Sequence, residues 1–209
     1  MDDSLAGKGL GLPVPVLLTV FTVSGICALL YQLIWQRALL LIYGSNIESV
    51  TMVVSAFMLG LGLGSLLGGA ISKRPGVPLL FLFGCVEILI GSYGAISLSL
   101  FEAVGNATGT GSTLSTGLLC FTLVLVPTLL MGSTLPLLVA HYVNASGNVG
   151  YSVSMLYFVN TLGAGLGAFL AAILILGALG LKASIILAVC LNIFAGVTIL
   201  YFWKKGGRA

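Results

Sequence analysis

Glu87 is the residue in this chain best placed to do chemistry. It stands in F-G-C-V-E-I-L-I-G (83–91), with apolar residues on both sides. A carboxyl in such a setting must be protonated, paired, or open to a water-filled path. Gln32 and Arg37, in Y-Q-L-I-W-Q-R (31–37), are its expected partners. Gln32 is the easier partner by depth, because rise along the helices puts Arg37 nearer the surface. Arg37 has two readings of its own: recognition of an anionic group at the mouth of the protein, or an interfacial anchor whose head reaches the headgroups. His141 has a side chain that titrates near neutral pH, and the plainer reading is again an interface residue. Asn160 and Asn192 interrupt two further apolar runs, where each can hydrogen-bond between helices. Glu87, Arg37, Gln32, Asn160 and His141 are therefore the binding or coupling candidates. Enzyme chemistry is not expected. No serine–histidine–acid set, metal-spaced cluster or nucleotide loop is present, and no cofactor is implied.

The elements that position these residues must sit in lipid. Of 209 residues, 59% are hydrophobic and 6% charged. Mean hydropathy is +1.21. So little charge cannot cover a water-facing surface. Six membrane helices are expected, near 14–43, 47–71, 78–101, 113–143, 151–176 and 183–203. Lys73-Arg74-Pro75-Gly76 ends the second, and Gly177 to Gly180 is expected to break the fifth from the sixth. Pro127 and Pro136 should kink or unwind the fourth. The four cysteines fall in apolar runs and read as small buried hydrophobes. The first apolar run is too long for a cleavable signal.

Gly60, Gly64 and Gly68 recur every four residues and form a bare ridge for close helix packing. A shift of 101 positions lays Phe57 to Ile71 over Phe158 to Ala172, which brings in Gly163 and Gly167 as a second packing face. The fold class is thus an all-α polytopic bundle with two inverted three-helix units, 14–104 and 113–203, forming a single transmembrane domain. Inverted repeats are a transporter trait. With both ends cytoplasmic, Lys8, Lys73, Arg74, Lys204, Lys205 and Arg208 gather inside, and Lys182 and Arg37 remain outside.

Several stretches together resemble one family: bacterial fused proteins that join a transporter-like bundle to a spermidine-synthase-like domain. They are 24–37 (S-G-I-C-A-L-L-Y-Q-L-I-W-Q-R), 56–69, the E-I-L-I-G at Glu87, 127–136 (P-T-L-L-M-G-S-T-L-P) and 156–168. The membrane part of that family is similar to the major facilitator superfamily. Lys73 stands where that superfamily's loop between helices two and three has aspartate. The resemblance implies half of a facilitator-like bundle in a bacterial inner membrane, with polyamine-related solutes as the cargo class. The soluble aminopropyltransferase-like half is not in these residues, so that activity is expected on a separate polypeptide, or the chain is a split or truncated member of the family.

Two functions follow. One is a transporter-like module for a small polar or charged solute, working as a homo-oligomer. The other is a membrane scaffold for a spermidine-synthase-like partner or another membrane complex. The lipid bilayer is a partner in both, and nucleic acid in neither.

Overall fold

The computed structural model describes residues 12–43, 46–108 and 113–206. They form helices α1 (Val14–Tyr43), α2 (Asn46–Ser72), α3 (Leu79–Thr108), α4 (Thr113–Ser146), α5 (Val149–Leu170) and α6 (Leu176–Gly206), with one π turn, Ala171–Ile175, between the last two. Among the described residues, five segments are long and apolar enough to cross a membrane; the last, Val149–Gly206, has 58 residues. The surface is apolar and the interior carries polar groups. Met58, Leu66, Phe158 and Phe169 are exposed, whereas Ser24, Glu87 and Asn192 are buried. In water that arrangement would be inverted, so lipid is the medium that the outer face fits.

The break expected at Gly177 to Gly180 falls on one residue, with helix on both sides. Only Gly180 leaves helical geometry, with φ 69° and ψ 179°. That backbone excludes a β-carbon, and it turns the chain sharply without a polar loop. Helix α3 runs past its expected end near 101 as far as Thr108; residues 109–112 lie outside the described residues. Of the cysteines, Cys27 and Cys120 are buried and Cys85 is half-buried. Cys190 instead faces outward, which a small apolar side chain tolerates beside lipid.

Glycine contacts fix the packing. A β-carbon at Gly64 would overlap the Leu129 carbonyl oxygen, one at Gly68 would lie 2.6 Å from that of Ser133, and one at Gly132 would overlap that of Leu61. Helices α2 and α4 therefore touch backbone to backbone, in parallel. Helices α1 and α5 do the same. Gly163 meets Thr22, Gly167 meets Ile26, and Gly25 meets Asn160. The two sets correspond contact for contact. Gly64 and Gly68 precede Gly163 and Gly167 by 99 positions, and Thr22, Gly25 and Ile26 precede Leu129, Gly132 and Ser133 by 107. The third pair, α3 with α6, is antiparallel and corresponds to itself. Gly84 meets Leu200 as Gly196 meets Ile88, an offset of 112. The packing register thus differs by two residues from the shift of 101 read in the sequence. That shift matches Gly64 to Gly165 and Gly62 to Gly163, yet Gly62 and Gly165 have open space beside them.

Helix α4 stays continuous through Pro127 and Pro136. Proline lacks an N–H, so the carbonyl four residues earlier loses its helical donor. For Pro127 that carbonyl is Leu123, and the Tyr93 hydroxyl of α3 donates to it at 2.6 Å. A neighbouring helix repairs the ladder, so no unwinding is needed.

Two outcomes follow for thermal unfolding in detergent, read by circular dichroism. Gly64→Ala destabilises by about 1–3 kcal/mol through overpacking, whereas Gly62→Ala stays within about 0.5 kcal/mol of the parent. Equal effects of the two would contradict the packing described. Tyr93→Phe costs about 0.6 kcal/mol, the average for such bonds in a membrane protein. The cost shrinks in a Pro127→Ala background, where residue 127 regains its own N–H. A double-mutant cycle with zero coupling would exclude the repair.

Candidate functional site: a buried carboxyl on a three-helix seam

Helices α1, α3 and α6 meet along a seam that contains Glu87. Its position follows from what flanks it on α3. Gly84 lies against Gly196 and Leu200 of α6, and Gly91 lies against Asn192 and Ile193. With no side chain one turn below or above, α3 and α6 approach closely, and the short Asn192 side chain reaches the carboxyl. On α1, Ser24, Cys27, Tyr31 and Trp35 share one face by their spacing of three and four residues. Ser24 is at the level of Glu87.

Glu87 is 0% exposed. The Ser24 hydroxyl donates to Oε1 at 2.6 Å, and the Asn192 amide Nδ2 donates to Oε2. Both partners are neutral. The carboxyl is therefore solvated by the protein but not neutralised by it, a costly state for a charge in lipid. Two more polar atoms on the seam are buried without a hydrogen-bond partner: Asn192 Oδ1 and the Tyr31 hydroxyl. The Tyr31 ring occupies the space that a side chain at Gly94 would need. It stacks on Trp35 at 5.2 Å between centroids. Trp35 donates through Nε1 to Ser97 Oγ at 2.9 Å, and Ser97 donates to the Gly94 carbonyl at 2.8 Å. The Cys27 thiol points at the Ala188 carbonyl across 3.6 Å.

The sequence candidates separate. Glu87 is central. Gln32 is half-buried and Arg37 is exposed, and neither hydrogen-bonds it; the partner on α1 is Ser24. The reason is depth. Gln32 lies eight residues beyond Ser24, a rise of about 12 Å. Asn160 donates to the Phe21 carbonyl at 3.3 Å and ties α5 to α1. His141 is half-buried near the end of α4, away from the seam. Ser24 escaped the sequence reading because a serine in an apolar helix usually bonds its own backbone. Its spacing from Tyr31 and Trp35 was the signal that could have found it.

The site is suited to hold a proton or a small cation at a carboxyl enclosed by neutral donors. Set beside known protein families, characterised proteins and solved structures, the chain matches none of them.

Proposed function

We propose that this chain is an integral membrane, transporter-like module for a small polar or charged solute, with Glu87 as its proton- or cation-coupling group. The observation that carries the reading is Glu87 itself, fully enclosed and hydrogen-bonded only by neutral Ser24 and Asn192. Such a carboxyl is stable only while something positive, a proton or a cation, shares its place.

The packing supports the wider architecture. Helix α5 runs parallel to α1 and α6 antiparallel to α3, so the segment Val149–Gly206 reverses at Gly180. We read it as two crossings, for six in all. The recurring contacts support reading 14–104 and 113–203 as two inverted units, the arrangement transporters place around a binding site. Six helices enclose no path alone, so the working form is an oligomer. The cation balance puts both ends in the cytoplasm, and the resemblance to the fused transporter-like family puts the protein in a bacterial inner membrane with polyamine-related cargo.

A second reading rests on the same contacts. Both Glu87 oxygens already have partners in a closed helix contact, as a structural clamp in a scaffold would.

Glu87→Gln separates the two. The amide has nearly the same volume, Ser24 still donates to Oε1, and a turned Asn192 offers its idle Oδ1 to the new NH2 group. The variant is expected to melt within about 0.5 kcal/mol of the parent, as substitutions that leave no buried group unpaired do. Uptake of radiolabelled spermidine into proteoliposomes under an imposed pH gradient should fall at least tenfold. Unchanged uptake in the variant would overturn the coupling role. Absence of any flux in the parent, with a stoichiometric soluble partner on purification, would establish the scaffold.

A further inference from the structure

The seam does not end at Glu87. At its other end lies a pocket of about 300 Å3, lined by Ala38 and Ile42 of α1, Phe101 and Glu102 of α3, and Leu181 and Lys182 of α6. The same three helices therefore carry a mouth with two charged residues and a buried carboxyl. Glu102 is 15 residues beyond Glu87 on α3, a rise of about 22 Å.

What lies between is ordered by level. Phe101 lines the pocket and packs edge-on against Trp35, with centroids 6.4 Å apart. Both rings are buried, with Phe101 at the pocket wall and Trp35 behind it. Tyr31 stacks beneath Trp35, at the level of Gly94. Asn192 follows at the level of Gly91, and then Glu87. Two of these three polar stations carry an atom with no partner, Tyr31 Oη and Asn192 Oδ1. The space beside Gly94 and Gly91 is taken by the Tyr31 ring, Ile193 and Asn192, and the two orphaned oxygens are the atoms on this strip that a water molecule would serve.

We propose that protons reach Glu87 from the pocket at Glu102 and Lys182, along the α1/α3/α6 seam, with Tyr31 and Asn192 as the hydrogen-bonding stations and the Trp35–Phe101 pair as the barrier. An excess proton carried past the barrier on water, as hydronium, passes to the Tyr31 oxygen and leaves a neutral water behind. Tyr31 releases its own hydrogen to a water held by Asn192 Oδ1, and that water protonates Glu87. Only O–H bonds form and break, the hydroxyl ends as it began, and the carboxylate gains one proton. Nothing is oxidised. The titratable groups facing Glu87 are Cys27 and Tyr31 of α1, and Cys190 of α6 lies near Tyr31. None carries positive charge, so the carboxyl is neutralised by what the seam delivers. This deepens the coupling reading of Glu87 and rests on it, choosing the proton over other cations and naming its path.

The test is infrared spectroscopy of the full chain in phosphatidylcholine vesicles at pH 7, moved from H2O to D2O. The parent should show the C=O stretch of a protonated carboxyl, absent in Glu87→Gln, and that band should shift as deuterium arrives. Tyr31→Phe keeps the ring and removes the hydroxyl, and should slow the shift at least tenfold. Phe101→Ala opens the wall of the pocket and should speed it at least fivefold. Equal exchange rates in the parent and both variants would overturn the route. A band missing from the parent would overturn proton binding at Glu87. Spermidine uptake that depends on Glu87, found together with unaltered exchange, would leave the transport reading standing and the route refuted.

Discussion

Close approach of backbones is the constraint on which this structure depends. Lipid chains are as apolar as leucine, so burial of apolar surface does not draw membrane helices together. What holds them is contact at short range, and glycine gives the shortest. At Gly64, Gly132, Gly163 and Gly25, the space for a β-carbon is already filled by a carbonyl of the neighbouring helix. Each such contact exchanges lipid for many small dispersion gains between rigid backbones, which lose no side-chain freedom when they meet. The pairs α2 with α4 and α1 with α5 are built this way, and the remaining helices pack around them.

The same logic places the polar groups. Once α3 and α6 meet at Gly84 and Gly196, the residues one turn away have no choice of depth. Glu87 is brought to Asn192, and Ser24 of α1 closes the third side. Polar groups inside the bundle are satisfied by their own helix, as Ser97 and Thr134 are, or by a neighbouring one. Tyr93 serves the carbonyl left by Pro127, and Asn160 serves that of Phe21. Against that background the idle atoms at Tyr31 and Asn192 are the departure, and both lie on the seam that leads to the carboxyl.

Much of this was legible in the residues. Composition determines the medium, and the four-residue glycine spacing in Gly60, Gly64 and Gly68 identifies the face of α2 that meets another helix. The special standing of Glu87 follows from its neighbours in sequence alone. Its partners do not, because Ser24 and Asn192 are set by how far α1 and α6 slide along α3. Sliding is decided by three-dimensional contacts between helices, and one residue of slip moves a side chain by about 1.5 Å along the axis. The break at Gly180 was legible in the glycines of 177–180, but its width was not. In lipid a loop exposes backbone, and a single positive φ makes the break with the helix kept on both sides. The shift of 101 positions failed in the same way. Glycine-rich runs align in several registers, and only contacts choose among them.

The correspondence of contacts also bears on what Glu87 is for. The offsets that match the packing carry Ser24 onto Met131, Tyr31 onto Leu138, Glu87 onto Ile199 and Asn192 onto Leu80. Leu80, Leu138 and Ile199 are buried together in one apolar cluster, with Tyr142 in the place that answers to Trp35. One end of the bundle thus packs with aliphatic side chains where the other has a carboxyl, an amide and a hydroxyl. The apolar side shows that this geometry is filled without any buried acid. A clamp is therefore not what the packing required, because leucine and isoleucine do that work at the equivalent place. An acid in lipid is expensive to keep. Its presence on one side only is the ground on which we propose coupling ahead of clamping.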